Sequence, residues 1–135
     1  MMILPYDLDE VRRRPSMYLP NASFDVSVAY LMGIDAGRHG EFLKGFHEWL
    51  VPIVKYGNNL AWSELVLRIT FPEAEDPRSQ LLQCSDQRHV LDSLFLCLEN
   101  FLAEKEKDQG FRTIITRYED WLRGQDWFRP SLLDS

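Results

Sequence analysis

The chain predicts an all-α, single-domain irregular bundle of about five helices plus a short N-terminal helical turn. Three observations carry that expectation. Apolar residues recur at intervals of three and four through residues 41–69 and 86–107, the spacing that draws a stripe down one side of a helix. No stretch shows a convincing period of two, although Glu64–Phe71 is rich enough in β-branched and apolar residues to admit a strand. Glycine and proline punctuate the stripes at intervals suited to short helices. At 135 residues and 45% hydrophobic, one domain has enough apolar surface to form a core without staples.

In order, residues 5–14 read as one or two helical turns. Pro5 opens them, Asp7, Asp9 and Glu10 sit where the helix dipole favours acids, and Arg12, Arg13 and Arg14 close them. Pro15 stops the helix, and residues 14–20 form a loop with Met17, Tyr18 and Leu19 turned toward the core. Ser23 is placed to cap a helix over Phe24–Gly37 with Phe24, Val28, Leu31 and Met32 as its stripe. Gly37–Gly40 is a turn.

The stretch 41–69 anchors the chain. Phe42, Phe46, Trp49, Leu50 and Ile53 define a helix over 41–55, with Pro52 expected to kink or shorten it. Gly57, Asn58 and Asn59 break the pattern, either asparagine serving as the next cap. Trp62, Leu65, Val66 and Ile69 then define a helix over 60–70 that Pro72 ends. Residues 72–85 read as a long irregular surface loop holding Glu73, Glu75 and Asp76. A helix over 86–107 carries Val90, Leu91, Leu94, Phe95, Leu98, Phe101 and Leu102. A last one over 111–123 carries Ile114, Ile115, Tyr118, Trp121 and Leu122, and Gly124 closes it. Trp127 and Phe128 lie beyond, either stapling the tail down or anchoring a partner, as interface hot spots do.

Composition narrows the function. The net charge of −6 argues against nucleic acid, whose binding needs a basic face, and is compatible with a basic protein partner. No apolar run reaches the length of a membrane span, and the start of the chain lacks the pattern of a signal peptide, which points to the cytoplasm. Cys84 and Cys97 show no metal or redox spacing and are expected to be reduced thiols. His47-Glu48 resembles the opening of a zinc-protease motif, but Val51 stands where the second histidine is required. Cys84 and His89 do not by spacing make a nucleophile and its base. No phosphate loop, dinucleotide fingerprint or nucleophile elbow occurs, so neither cofactor, metal nor catalytic residue is expected.

Two resemblances add to this. The run Val11–Leu19 is similar to a segment near the N-terminus of type II topoisomerase ATPase subunits, but the Glu-x-x-x-Asn helix and Asp-x-Gly-x-Gly turns of their nucleotide site are missing. The second covers about residues 8–104. Arg13–Leu19 (with Arg14, Pro15, Met17 and Tyr18), Phe46–Trp49 (with His47, Glu48 and Trp49), the Tyr56-Gly57 turn, the Trp62 helix and the helix over 90–104 resemble, in that order, small bacterial immunity-type proteins of polymorphic or secreted toxin systems. Ser16 departs from the glycine usual in that turn, and the tail from Gly110 is not covered.

The resemblance implies a cytoplasmic protein, monomer or homodimer, that neutralises a cognate toxin by binding it and needs no catalysis. Glu73, Glu75 and Asp76, as a mimic of a phosphate backbone, and Trp127 with Phe128 are the contact residues this reading singles out. The competing readings are an adaptor module for some other protein and a small enzyme with a site around His47, Glu48 and Arg14. A toxin reading frame beside the gene separates the first two, and a deep pocket joining His47 to Arg14 or Tyr18 marks the third.

Overall fold

A computed structural model describes residues 10, 13, 14 and 23–133. The regular elements among the described residues are all helices, with no strand among them, as the periodicity predicts. In chain order the elements are α1 (Phe24–Gly37), α2 (Phe46–Val54), α3 (Trp62–Thr70), α4 (Pro77–Leu82), α5 (Arg88–Glu106), α6 (Gly110–Arg123) and a terminal 3-10 turn (Pro130–Leu133). The residues of the 14–20 loop beyond Arg14, and those of the N-terminal helical turn other than Glu10, Arg13 and Arg14, lie outside the described set.

The anchor stretch is the centre of the packing. α2 contacts α3, α5 and α6, and α5 in turn contacts α1, α3 and α6. Phe46, fully buried, has its ring 5.0 Å from that of Phe101, 5.4 Å from that of Trp62 and 6.2 Å from that of Trp49. Truncation of such a ring typically costs about 3–5 kcal/mol, a large share of a small domain's stability. One core cluster runs from Phe24 on α1 through Leu50, Leu65, Leu81, Leu94 and Leu98 to Ile114 on α6. Short amphipathic helices are marginal alone, so this shared core is what holds each of them folded.

Ser23 caps α1 as expected, its hydroxyl accepting from the Val26 N–H at 3.2 Å. The buried face of α1 is Phe24, Ser27 and Leu31, while Met32 is 56% exposed. α1 packs mainly on α5, so a narrower stripe than the sequence suggests is enough to bury it. α2 begins later than its stripe predicts. Residues 41–45 form turns in which the Asp35 carboxylate accepts from the Leu43 N–H (2.8 Å) and Lys105 donates to the Glu41 carbonyl (2.7 Å). Gly45 has φ 96° and ends the turn, a backbone state that glycine adopts without penalty. Phe42 is buried from this turn rather than from a helix, and Ile53 is 46% exposed. The helix runs through Pro52 and stops at Val54, with Lys55 left-handed at its end.

α3 starts at Trp62, with Ala61 rather than Asn58 or Asn59 at the N-cap position and no side-chain cap. The predicted loop 72–85 contains a helix, α4. The Asp76 carboxylate accepts from the Ser79 N–H (3.3 Å) and hydroxyl (2.8 Å), with Pro77 in the first turn. Asp-Pro-x-Ser is a helix start whose apolar stripe is too short to register as periodicity. Gln87 stands at the N-cap position of α5 without capping it, and its amide oxygen accepts the Phe24 N–H of α1 at 2.7 Å. A donor at the start of α1 is thus satisfied by a residue at the start of α5.

Candidate functional site

The residues singled out from sequence divide into core and surface. Trp49 is buried, and its indole N–H donates to Glu104 at 2.6 Å. The Arg117 guanidinium also donates to Glu104, forming an ion pair that ties α6 to α5. The Arg117 hydrogen bond, followed by that of Trp49, holds the Glu104 carboxyl below its ordinary range against the opposing effect of burial. Trp62 is half-buried against Phe46. These two tryptophans belong to the scaffold.

His47 is half-buried on α2 and meets the Tyr118 ring edge-on at 6.1 Å. Burial, aided by the charge of the half-buried Glu48, raises the Tyr118 phenol above its usual range. Arg14 is exposed, and its backbone N–H donates to the Glu10 carbonyl. Pro15, Met17 and Tyr18 lie outside the described residues. Among the described residues no three His, Cys, Asp or Glu side chains come together as a metal site would need, and no helix is long and apolar enough to cross a membrane.

Glu73 and Glu75 are exposed in the turn between α3 and α4. Asp76 is exposed too, but its oxygens are engaged in capping α4, and the Ser79 hydrogen bonds hold its carboxyl below the ordinary range. The acidic turn therefore offers two free-standing carboxylates and a third already used by the backbone. Beside it, Thr70, Phe71, Pro72, Glu73, Ala74 and Gln80 line a shallow groove of about 370 Å³.

The tail residues lead to a second surface. Phe128 is half-buried and its N–H donates to Gln125. Trp127 is 45% exposed and stands edge-on to Trp121 of α6 at 6.1 Å. Across from them the connection between α2 and α3 supplies Tyr56, 47% exposed, with Asn58 and Asn59. Lys55, Gly57 and Gln125 complete an open groove of about 400 Å³. The Arg68 guanidinium of α3 lies over the Tyr56 ring at 5.6 Å. Two of the large exposed apolar side chains thus share one concavity with a third aromatic and three amides.

Sequence reasoning offers Trp127 as a contact residue, reads Tyr56 only as part of a turn and Trp121 only as part of a helical stripe, and does not single out Gln125 or Arg68. The signal available was that Tyr56 and Trp127 each fall just past the end of a helix, outside its stripe. Their adjacency depends on α2 lying against α6, which no local pattern reveals.

Comparison with protein-family models, with curated proteins and with solved structures gives no match for this chain.

Proposed function

We propose that the protein is an immunity-type binding protein that neutralises a cognate bacterial toxin by protein–protein contact, without a cofactor or a catalytic step of its own. The observation that carries the binding reading is the groove between the α2–α3 connection and the tail. Tyr56 and Trp127 are each nearly half exposed there, with Trp121 behind them. Large aromatics left open in a concavity are what partner-binding surfaces present, because their burial on association releases much apolar area at little entropic cost. The resemblance of residues 8–104 to immunity-type proteins supplies the class of partner. We include Glu73, Glu75 and Asp76 among the proposed contacts, since exposed acids steer a basic partner.

The test is co-expression of this chain with the product of an adjacent toxin reading frame. Protection of the host cell and co-purification of the two chains at equal stoichiometry are expected. A toxin that kills equally well with and without this chain rules the reading out. An adaptor that serves another protein would bind no toxin and leave growth inhibition unchanged.

A further inference from the structure

The two walls of the aromatic groove are anchored differently. The wall made by the α2–α3 connection is rooted in the core. Its turn is closed by the Leu60 N–H, which donates to the Gly57 carbonyl at 2.9 Å. A Cβ on Gly57 would lie 2.9 Å from the Leu60 side chain and 3.0 Å from that of the fully buried Leu65, so the turn sits hard against α3.

The opposite wall is the segment that follows α6, which supplies Gln125 and Trp127. Among the described residues its hydrogen bonds are local. The Gln125 N–H donates to the Leu122 carbonyl at 3.0 Å, and its side-chain amide donates to the Trp121 carbonyl at 2.8 Å. The Phe128 N–H returns to Gln125 at 3.1 Å, and the Leu132 N–H to Arg129 at 2.9 Å. Asp126 and Arg129 are exposed and make no ion pair among the described residues. Trp121 packs against the core cluster, but Trp127 and Phe128 are not part of it. Trp127 reaches it through the edge-on contact with Trp121.

A segment whose bonds are local and whose side chains bury little opens at a cost well below that of global unfolding. Gly124, at the end of α6, offers the pivot, since glycine has the widest backbone freedom.

We propose that residues 125–133 form a strap, clasped by Trp127 against Trp121, that swings away from α6 while the helical bundle stays folded. The groove is thus assembled and dismantled by the movement of one wall. Detachment breaks the two Gln125 bonds to α6 and carries Trp127 out of the groove, while Tyr56, Asn58 and Asn59 stay where they are. A ligand that touches both walls binds the seated form alone, so its apparent affinity falls with the fraction of chains that have the strap seated. The device belongs to this chain by itself and goes beyond the toxin-binding reading, which can fail without it.

Hydrogen exchange of the full chain, read peptide by peptide at increasing urea below the unfolding transition, tests the strap. Peptides covering 125–133 should exchange at least about tenfold faster than those covering the buried positions 94–101 of α5, and their rate should barely respond to urea. Trp127 is 45% exposed and outside the core, so Trp127→Ala should fold normally. That variant should exchange several-fold faster over 125–133, with α5 protection and the thermal midpoint unchanged. Exchange of 125–133 in step with α5, or a loss of α5 protection in Trp127→Ala, makes the segment part of the bundle and overturns the proposal. Exchange over 125–133 that Trp127→Ala leaves unchanged shows that the ring contact seats no strap, and overturns it as well.

Discussion

At the scale of single residues, Glu104 and Cys97 are two places where environment changes chemistry. Glu104 accepts from both Trp49 and Arg117, and its pKa in the fold lies below the ordinary 4.5. A carboxyl depressed by folding contributes stability that is fully present above its unfolded pKa and is lost as pH falls through the folded value. Glu104→Gln should therefore destabilise the protein at pH 7 by about 1–2 kcal/mol, with the exposure of Arg117 keeping the figure modest. The deficit should narrow as pH falls below about 4.3, the range where an unfolded glutamate takes up its proton. Urea denaturation at pH 7 and pH 3.5 checks this, and a deficit that is constant with pH would contradict it. Cys97 is buried on α5, and burial pushes its thiol up to about 11. Since the thiolate is the reactive form, Cys97 should resist an alkylating reagent at pH 8 until the protein is unfolded. Cys84, at the end of α4 and only half-buried, should account for any labelling of the native state. Mass spectrometry of the labelled peptides distinguishes the two.

At the scale of elements, the junction between α5 and α6 leaves less room than any other described glycine position. A Cβ on Gly110 would lie 2.1 Å from the Glu104 carbonyl oxygen and 2.7 Å from that of Lys105. Both obstacles are backbone, so no side-chain rotation relieves them. Gly110→Ala should cost roughly 3 kcal/mol or more, at or above the upper end for overpacking, because α6 must shift away from α5 and with it the Arg117–Glu104 pair. A fall in thermal midpoint of less than a few degrees would show that the junction yields easily. Gly110 was legible from sequence only as a helix breaker. The same limit applies to α4: Asp76-Pro77 announces a helix start, but with six residues the element has too few turns to show a stripe. The start of α2 was misjudged for a related reason. Phe42 continues the stripe of Phe46 and Trp49 in register, yet it is buried from a turn, because the Asp35–Leu43 hydrogen bond holds residues 41–45 out of the helix.

At the scale of the whole molecule, the acidic turn at Glu73 and Glu75 and the aromatic groove of Tyr56 and Trp127 are two separate exposed surfaces. If the acidic turn steers the toxin, Glu73→Lys with Glu75→Lys should slow association several-fold at low salt and leave dissociation nearly unchanged, as rim charges do. Stopped-flow mixing at two ionic strengths measures this. An association rate that does not change on reversal removes the turn from the contact. Asp76 is excluded from that variant because replacing it would also uncap α4 and confuse binding with folding.

The sequence by itself determined the helical class, the approximate position of most helices and the identity of most core residues, since Phe46, Leu50, Leu65, Leu94, Leu98 and Phe101 repeat at a period that only a helix can bury on one side. Tertiary structure alone decided which helix lies against which. It joined Tyr56 to Trp127, satisfied Phe24 through Gln87 and closed Trp49 onto Glu104. Those are contacts between residues distant in the chain, and local periodicity carries information about which face is buried but none about what buries it.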